Sequence, residues 1–150
     1  MDRRLFLLAG AAGLVTAGCA QAKGPTAFTA YKTASCGCCK GWITAMARAG
    51  FAPTVVEVVD LTSEWRKRGV PDPLSSCHIA DVGGYVTVGH VPPEDVRRLL
   101  RERPKALGLV VPGMPIGSPG MEVPGGEREA YETLLLLPGG KTRVFARHPA

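Results

Sequence analysis

The densest chemistry in this chain lies at Cys36-Gly37-Cys38-Cys39, where three thiols fall within four residues. Packing alone does not require such a density. Cys36 and Cys39 make a C-x-x-C pair, and Cys38 sets a third sulfur between them. Apart from a cysteine in the leader, one more follows, Cys77, directly before His78. Thiolates are soft donors, so the set suits a soft metal ion or thiol–disulfide exchange. A purely structural staple is a poor reading. Cys38 and Cys39 are neighbours that cannot pair comfortably, and a loop this short removes little chain entropy.

The front of the chain says where these thiols work. Residues 1–22 read as an export signal. Arg3-Arg4-Leu5-Phe6-Leu7 has a twin-arginine form, and the apolar run from Leu7 to Val15 falls short of the ~20 residues of a permanent span. Thr16-Ala17-Gly18-Cys19 resembles a lipobox with Thr where Leu is usual, which makes Cys19 a lipidated first residue. Ala20-Gln21-Ala22 is the competing cleavage site. The lipoprotein reading is preferred, because it gives Cys19 a task. Residues 23–150 are then one exported, periplasmic domain, touching a membrane only through a lipid anchor at Cys19. Unbound thiols in such a compartment drift to disulfides.

The elements that must position the thiols follow from periodicity. Residues 28–32 are a strand candidate, and 40–49 a helix with Trp42, Ile43, Met46 and Ala49 on one face. Residues 54–59 are β-branched and bounded by Pro53 and Asp60. Thr62 or Ser63 caps a short helix to Arg68. Strands at 77–82 and 85–89 flank the hairpin turn Gly83-Gly84. Pro92 or Pro93 opens a helix over 94–103. The order β-α-β-α-β-β-α, with cysteines between the first strand and first helix, is a thioredoxin-like α/β plan. A helix N-terminus stabilises thiolate over thiol, which serves redox exchange and metal binding alike. In that plan a proline beside the cysteines is commonly cis, and Pro71 is the candidate. From Gly108 the chain leaves the plan. A Pro/Gly/Met-rich loop runs to Glu122, and residues 131–137 and 142–146 form a terminal hairpin.

Formal net charge is +5, from 18 Lys and Arg against 13 Asp and Glu. The basic residues are scattered over helix faces, with no basic–aromatic alternation, so nucleic acid binding is unsupported.

The motifs together resemble the domain-of-unknown-function 411 family, CopG-like exported copper proteins. They are Tyr31-Lys32 with Cys36-Gly37-Cys38-Cys39 and Trp42, Gly69-Val70-Pro71, Ser76-Cys77-His78, Gly89-His90-Val91-Pro92, and the loop over 111–122. The resemblance spans residues 28 to 145, departing where Cys77-His78-Ile79 stands for the family's Cys-His-Thr. It implies a thioredoxin-like fold and copper binding by cysteine with histidine help, in copper resistance, sequestration or redox cycling. A copper efflux or resistance protein is the implied partner. The expected donors are Cys36, Cys38, Cys39 and Cys77, holding one or more Cu(I). His90 is the preferred imidazole and His78 the second, since neighbours on a strand face opposite ways unless a bulge intervenes. Met114 and Met121 are candidate thioethers, although loop methionines often simply pack. His148 is read as a bystander. Two other classes stay open: a thiol–disulfide oxidoreductase using Cys36 and Cys39, and a zinc-stabilised interaction module with a Cys3His set.

Overall fold

The computed structural model describes residues 24–150; the expected export signal over 1–22, with Cys19, lies outside them. Seven strands and three α-helices form one sheet-based α/β architecture. In chain order they are β1 (Thr26–Lys32), α1 (Gly37–Arg48), β2 (Phe51–Glu57), α2 (Thr62–Lys67), β3 (His78–Val82), β4 (Tyr85–Val88), α3 (Pro93–Glu102), β5 (Gly108–Val110), β6 (Tyr131–Leu136) and β7 (Thr142–His148). The sheet order is β2-β1-β3-β4-β5-β6-β7. β2 pairs parallel to β1, and β3 and β4 follow antiparallel. The expected β-α-β-α-β-β-α sequence is therefore present through α3. β5 then joins parallel to β4, and the β6–β7 hairpin extends the sheet.

Side-chain alternation divides the core between the two faces of the sheet. Phe28, Ala30, Ala80 and Val82 pack with Trp42 and Met46 of α1 and Val96 and Leu99 of α3. Ile79, Val86, Val88 and Val110 pack on the other side with Leu61, Val70 and Trp65, around α2. Trp42 and Met46 are fully buried, as the helical stripe requires.

Several boundaries differ from expectation, each for a physical reason. α1 begins at Gly37, not at residue 40, because Cys36 itself is the N-cap and its sulfur accepts from the Cys39 N–H at 3.3 Å. β2 runs through Pro53, whose missing N–H is harmless on an edge strand. α2 has Leu61 as N-cap without a side-chain bond, while the Thr62 hydroxyl turns back to Asp60 at 2.9 Å. Pro71 is trans, since no cis peptide occurs among the described residues. β5 went unread inside the Pro/Gly stretch. It needs Gly108, because a Cβ there would run into the Val86 carbonyl.

Candidate functional site

Three segments meet at the N-terminal end of α1. The first is Cys36 to Cys39, the cap and first turn of the helix. Cys36 and Cys39 are joined as a disulfide with Cα atoms 5.5 Å apart, and Cys38 and Cys77 are free. The Cys38 sulfur lies 3.6 Å from that of Cys36 and 3.7 Å from that of Cys77. The buried Cys39 sulfur sits 3.3 Å from the Cys77 carbonyl oxygen.

The second segment is the entry to β3. Cys77 stands one residue before the strand, so it escapes the pleat that would turn it from His78. The expected conflict of faces does not arise. The Cys77 sulfur is 3.4 Å from His78 Nδ1 and 3.5 Å from His90 Nε2. His78, Ala80 and Val82 share the α1 side of the sheet, which sets the His78 ring 4.5 Å from the Trp42 ring.

The third segment leaves β4. Gly89 adopts φ +71°, and a Cβ there would meet the Val111 carbonyl and the Ser76 hydroxyl. That turn brings His90 in, with its ring 5.1 Å from His78 and nearly perpendicular to it. His90 Nδ1 donates to the Pro119 carbonyl at 2.8 Å. A neutral imidazole bonded this way leaves Nε2 as a bare lone pair, here aimed at Cys77.

The loop after β5 thus closes over the site. Gly120 sits against the start of α1 so closely that a Cβ would strike the Trp42 amide and the Cys38 carbonyl. Neither the Pro119 carbonyl nor this seat was legible beforehand. The Pro-Gly pair marked only a turn.

Burial favours the neutral forms of Cys77, His78 and His90. Burial pushes the Cys77 thiol up to about 11, with the neighbouring Cys38 adding to it. Burial, joined by nearby His90, holds His78 down at about 3. Burial also lowers His90, against the opposing pull of the Pro119 carbonyl. His78 Nε2 is buried with no hydrogen-bond partner.

Two donor sets result, sharing Cys77: Cys36, Cys38, Cys39 and Cys77, and Cys77, His78 and His90. The ligand atoms within each lie inside 4.8 Å of one another. A tetrahedral ion with metal–sulfur bonds of ~2.3 Å and metal–nitrogen bonds of ~2.05 Å needs S···S near 3.8 Å and S···N near 3.6 Å. The Cys36–Cys38, Cys38–Cys77 and Cys77–imidazole separations match both, so the residues fit a metal ion, with the Cys36–Cys39 bond having to open before both of its sulfurs can ligate. Met114 stands apart, 51% exposed in a groove with Pro112, Glu129 and Tyr131. The Met121 backbone bonds to Gly117 and Ser118 within the closing loop. His148 lies at the far end of the sheet, bonded to Asp95.

Such a fold and site define an α/β protein with a converged cysteine–histidine centre suited to metal or thiol chemistry. The family profile described as "Protein of unknown function, DUF411" matches residues 74–121. Two solved structures titled "Copper resistance protein copG", form 1 and form 2, are 40% identical to this chain, each with a TM-score of 0.78. The matches cover 84% and 83% of this chain and 99% of each of those chains. Comparison with curated proteins finds no match. This chain belongs to the DUF411 family, with the copG proteins. No helix among the described residues is long and apolar enough to cross a membrane.

Proposed function

We propose that this is an exported copper-binding protein that holds Cu(I) through Cys36, Cys38, Cys39 and Cys77, with His90 and His78 assisting. The observation that carries the reading is the convergence of four sulfurs and two imidazoles, with the Cys38–Cys77 and Cys77–His90 separations at tetrahedral spacing. Thiolates favour Cu(I) over harder ions, and the imidazoles lower the cost of Cu(II), so sequestration and redox cycling are both served. The copper named in the titles of the 40%-identical structures supports the choice over zinc. Met121, in the loop that covers the site, is the nearer thioether by position, and Met114 would act on the exposed side. Export by residues 1–22, anchoring at Cys19 and hand-over to a copper efflux or resistance protein complete the reading. Elemental analysis of the exported fraction, from cells grown with and without copper, tests it. At least one copper per chain, lost when Cys36, Cys38, Cys39 and the shared Cys77 are all changed to Ser, is expected. Metal-free protein under copper loading overturns it.

One observation favours a second reading, thiol–disulfide exchange: the C-x-x-C pair is closed as a disulfide at a helix N-terminus. Turnover of a protein disulfide substrate that survives both Cys38→Ser and copper chelation would select it.

A further inference from the structure

The Cys36–Cys39 disulfide and the two donor sets bear on one another. A disulfide sulfur carries neither charge nor a proton to lose, whereas metal ligation calls on thiolate. Closing this bond therefore removes two of the four sulfurs from the first set. It leaves the second set untouched, because Cys77, His78 and His90 lie on the β3 and β4 side of the centre and Cys77 remains free. His90 is held in its ligating form by the Pro119 carbonyl, a contact that does not involve the disulfide.

Building on the copper reading above, we infer that the Cys36–Cys39 pair is a two-electron gate on the capacity of the site. With the disulfide closed, the chain holds one ion at Cys77, His78 and His90. With the pair reduced, the four-sulfur set opens and takes at least one ion more.

The exchange balances with a small or protein dithiol as reductant. Its thiolate attacks Cys36, the half-buried sulfur of the pair, while Cys39 is fully buried. The Cys36–Cys39 bond breaks, a mixed disulfide forms at Cys36, and Cys39 leaves with the electron pair. Cys39 takes up a proton and donates its S–H to the Cys77 carbonyl, 3.3 Å away. The second thiol of the reductant then displaces Cys36, whose thiolate is received by the Cys39 amide at the helix N-terminus. The reductant becomes a disulfide, and two electrons have entered the chain. Closing the gate is the same exchange run backwards: a small or protein disulfide takes the two electrons and becomes a dithiol, the Cys36–Cys39 bond re-forms, and the extra copper is expelled as two donors disappear. A compartment that oxidises thiols would thus lower the copper load, and a supply of exported reductant would raise it.

The exported chain, prepared in disulfide and dithiol forms with reductant removed under anaerobic conditions, is titrated with Cu(I) against a colorimetric chelator. Free thiols are counted in parallel. The disulfide form should take one Cu(I) per chain and the dithiol form at least two. His90→Ala should weaken copper binding at least tenfold in the disulfide form, while the dithiol form still takes copper. A Cys36→Ser, Cys39→Ser double variant should bind one Cu(I) whether or not reductant is supplied. Equal stoichiometry in the two forms, or disulfide-form binding indifferent to His90→Ala, overturns the gate and leaves the copper reading standing. Absence of copper from both forms overturns the copper reading itself.

Discussion

At the scale of single residues, the site joins three partly buried cysteines, Cys36, Cys38 and Cys77, to the fully buried Cys39, His78 and His90. His78 is completely buried and its imidazole is held at about 3, first by burial. A histidine whose folded value lies below its unfolded value of ~6.5 binds fewer protons folded than unfolded. Its share of stability is whole above pH 6.5 and drains away as pH falls towards 3, with a slope of up to about 1.4 kcal/mol per pH unit. Denaturant unfolding of the metal-free protein should therefore give lower stability at pH 5 than at pH 7, and His78→Phe should flatten that slope. Cys77 titrates the other way. With its thiol pushed up to about 11, it enters the site protonated at pH 7. Copper loading should release at least one proton per chain in a pH-stat, and Cys77→Ser should release one fewer. That these cysteines and histidines belong together was legible in the sequence, because a C-x-C-C run and a Cys-His pair have few other uses. The His90 tautomer was not, since it depends on a carbonyl 29 residues away.

At the scale of elements, the start of α1 and the closing loop make one unit. The sequence places the cysteines at a helix N-terminus and offers Ser35 as the ordinary cap type, one residue before the position that caps the helix. Cys36 takes that role through its sulfur, and the helix starts three residues earlier than periodicity indicates. β5 was illegible because a three-residue strand between Gly108 and Pro112 carries too little pattern to separate from a loop. The long loop itself stood out by its length, which marks a segment as functional or disordered. Its docking was not, because Gly120 touches α1 through backbone alone. Gly120→Ala tests that docking. The residue has φ +86°, and the added methyl would meet the Trp42 amide and the Cys38 carbonyl, neither of which can yield without moving the first turn of the helix. A cost of about 2 kcal/mol or more is expected, joining backbone strain to overpacking. Because Pro119 is the neighbour of Gly120, the same variant should loosen His90 and weaken copper binding. Unchanged copper affinity in a destabilised Gly120→Ala protein would show that the loop covers the site without organising it.

At the scale of the whole molecule, the question is what holds the loop's two ends over the centre. One end leaves β5 and the other enters β6, and they are tied together where the Glu129 amide donates to the Ile116 carbonyl at 2.9 Å and the Glu129 carboxylate accepts from the Ile116 amide. β6 in turn is fixed to the helical layer by a buried polar lock. Asp95 of α3 accepts from the Thr133 hydroxyl at 2.6 Å, and the His148 imidazole of β7 lies 2.9 Å from the same oxygen. The Tyr131 ring stacks on His148 at 4.5 Å. His148 is thus no bystander to the fold, although it stands far from the cysteines. Sequence reading could not pair it, since Asp95 and His148 are 53 positions apart and carry no shared motif. Removing the acceptor should hurt more than removing one donor. Asp95→Ala removes the shared acceptor, leaving the buried Thr133 hydroxyl only the His148 imidazole 3.1 Å away, and should cost about 2 kcal/mol, whereas His148→Ala leaves Asp95 bonded to Thr133 and should cost about 1 kcal/mol. Combined, the two should cost less than their sum, because each alone already removes the Asp95–His148 contact. Thermal unfolding of the three variants reads this ordering directly. Copper stoichiometry should stay at its unmutated value in all three while they remain folded, since the lock bears on the loop through β6 and not through a donor. Additive losses would mean that His148 secures the C-terminal strand by its stacking on Tyr131, and not through Asp95.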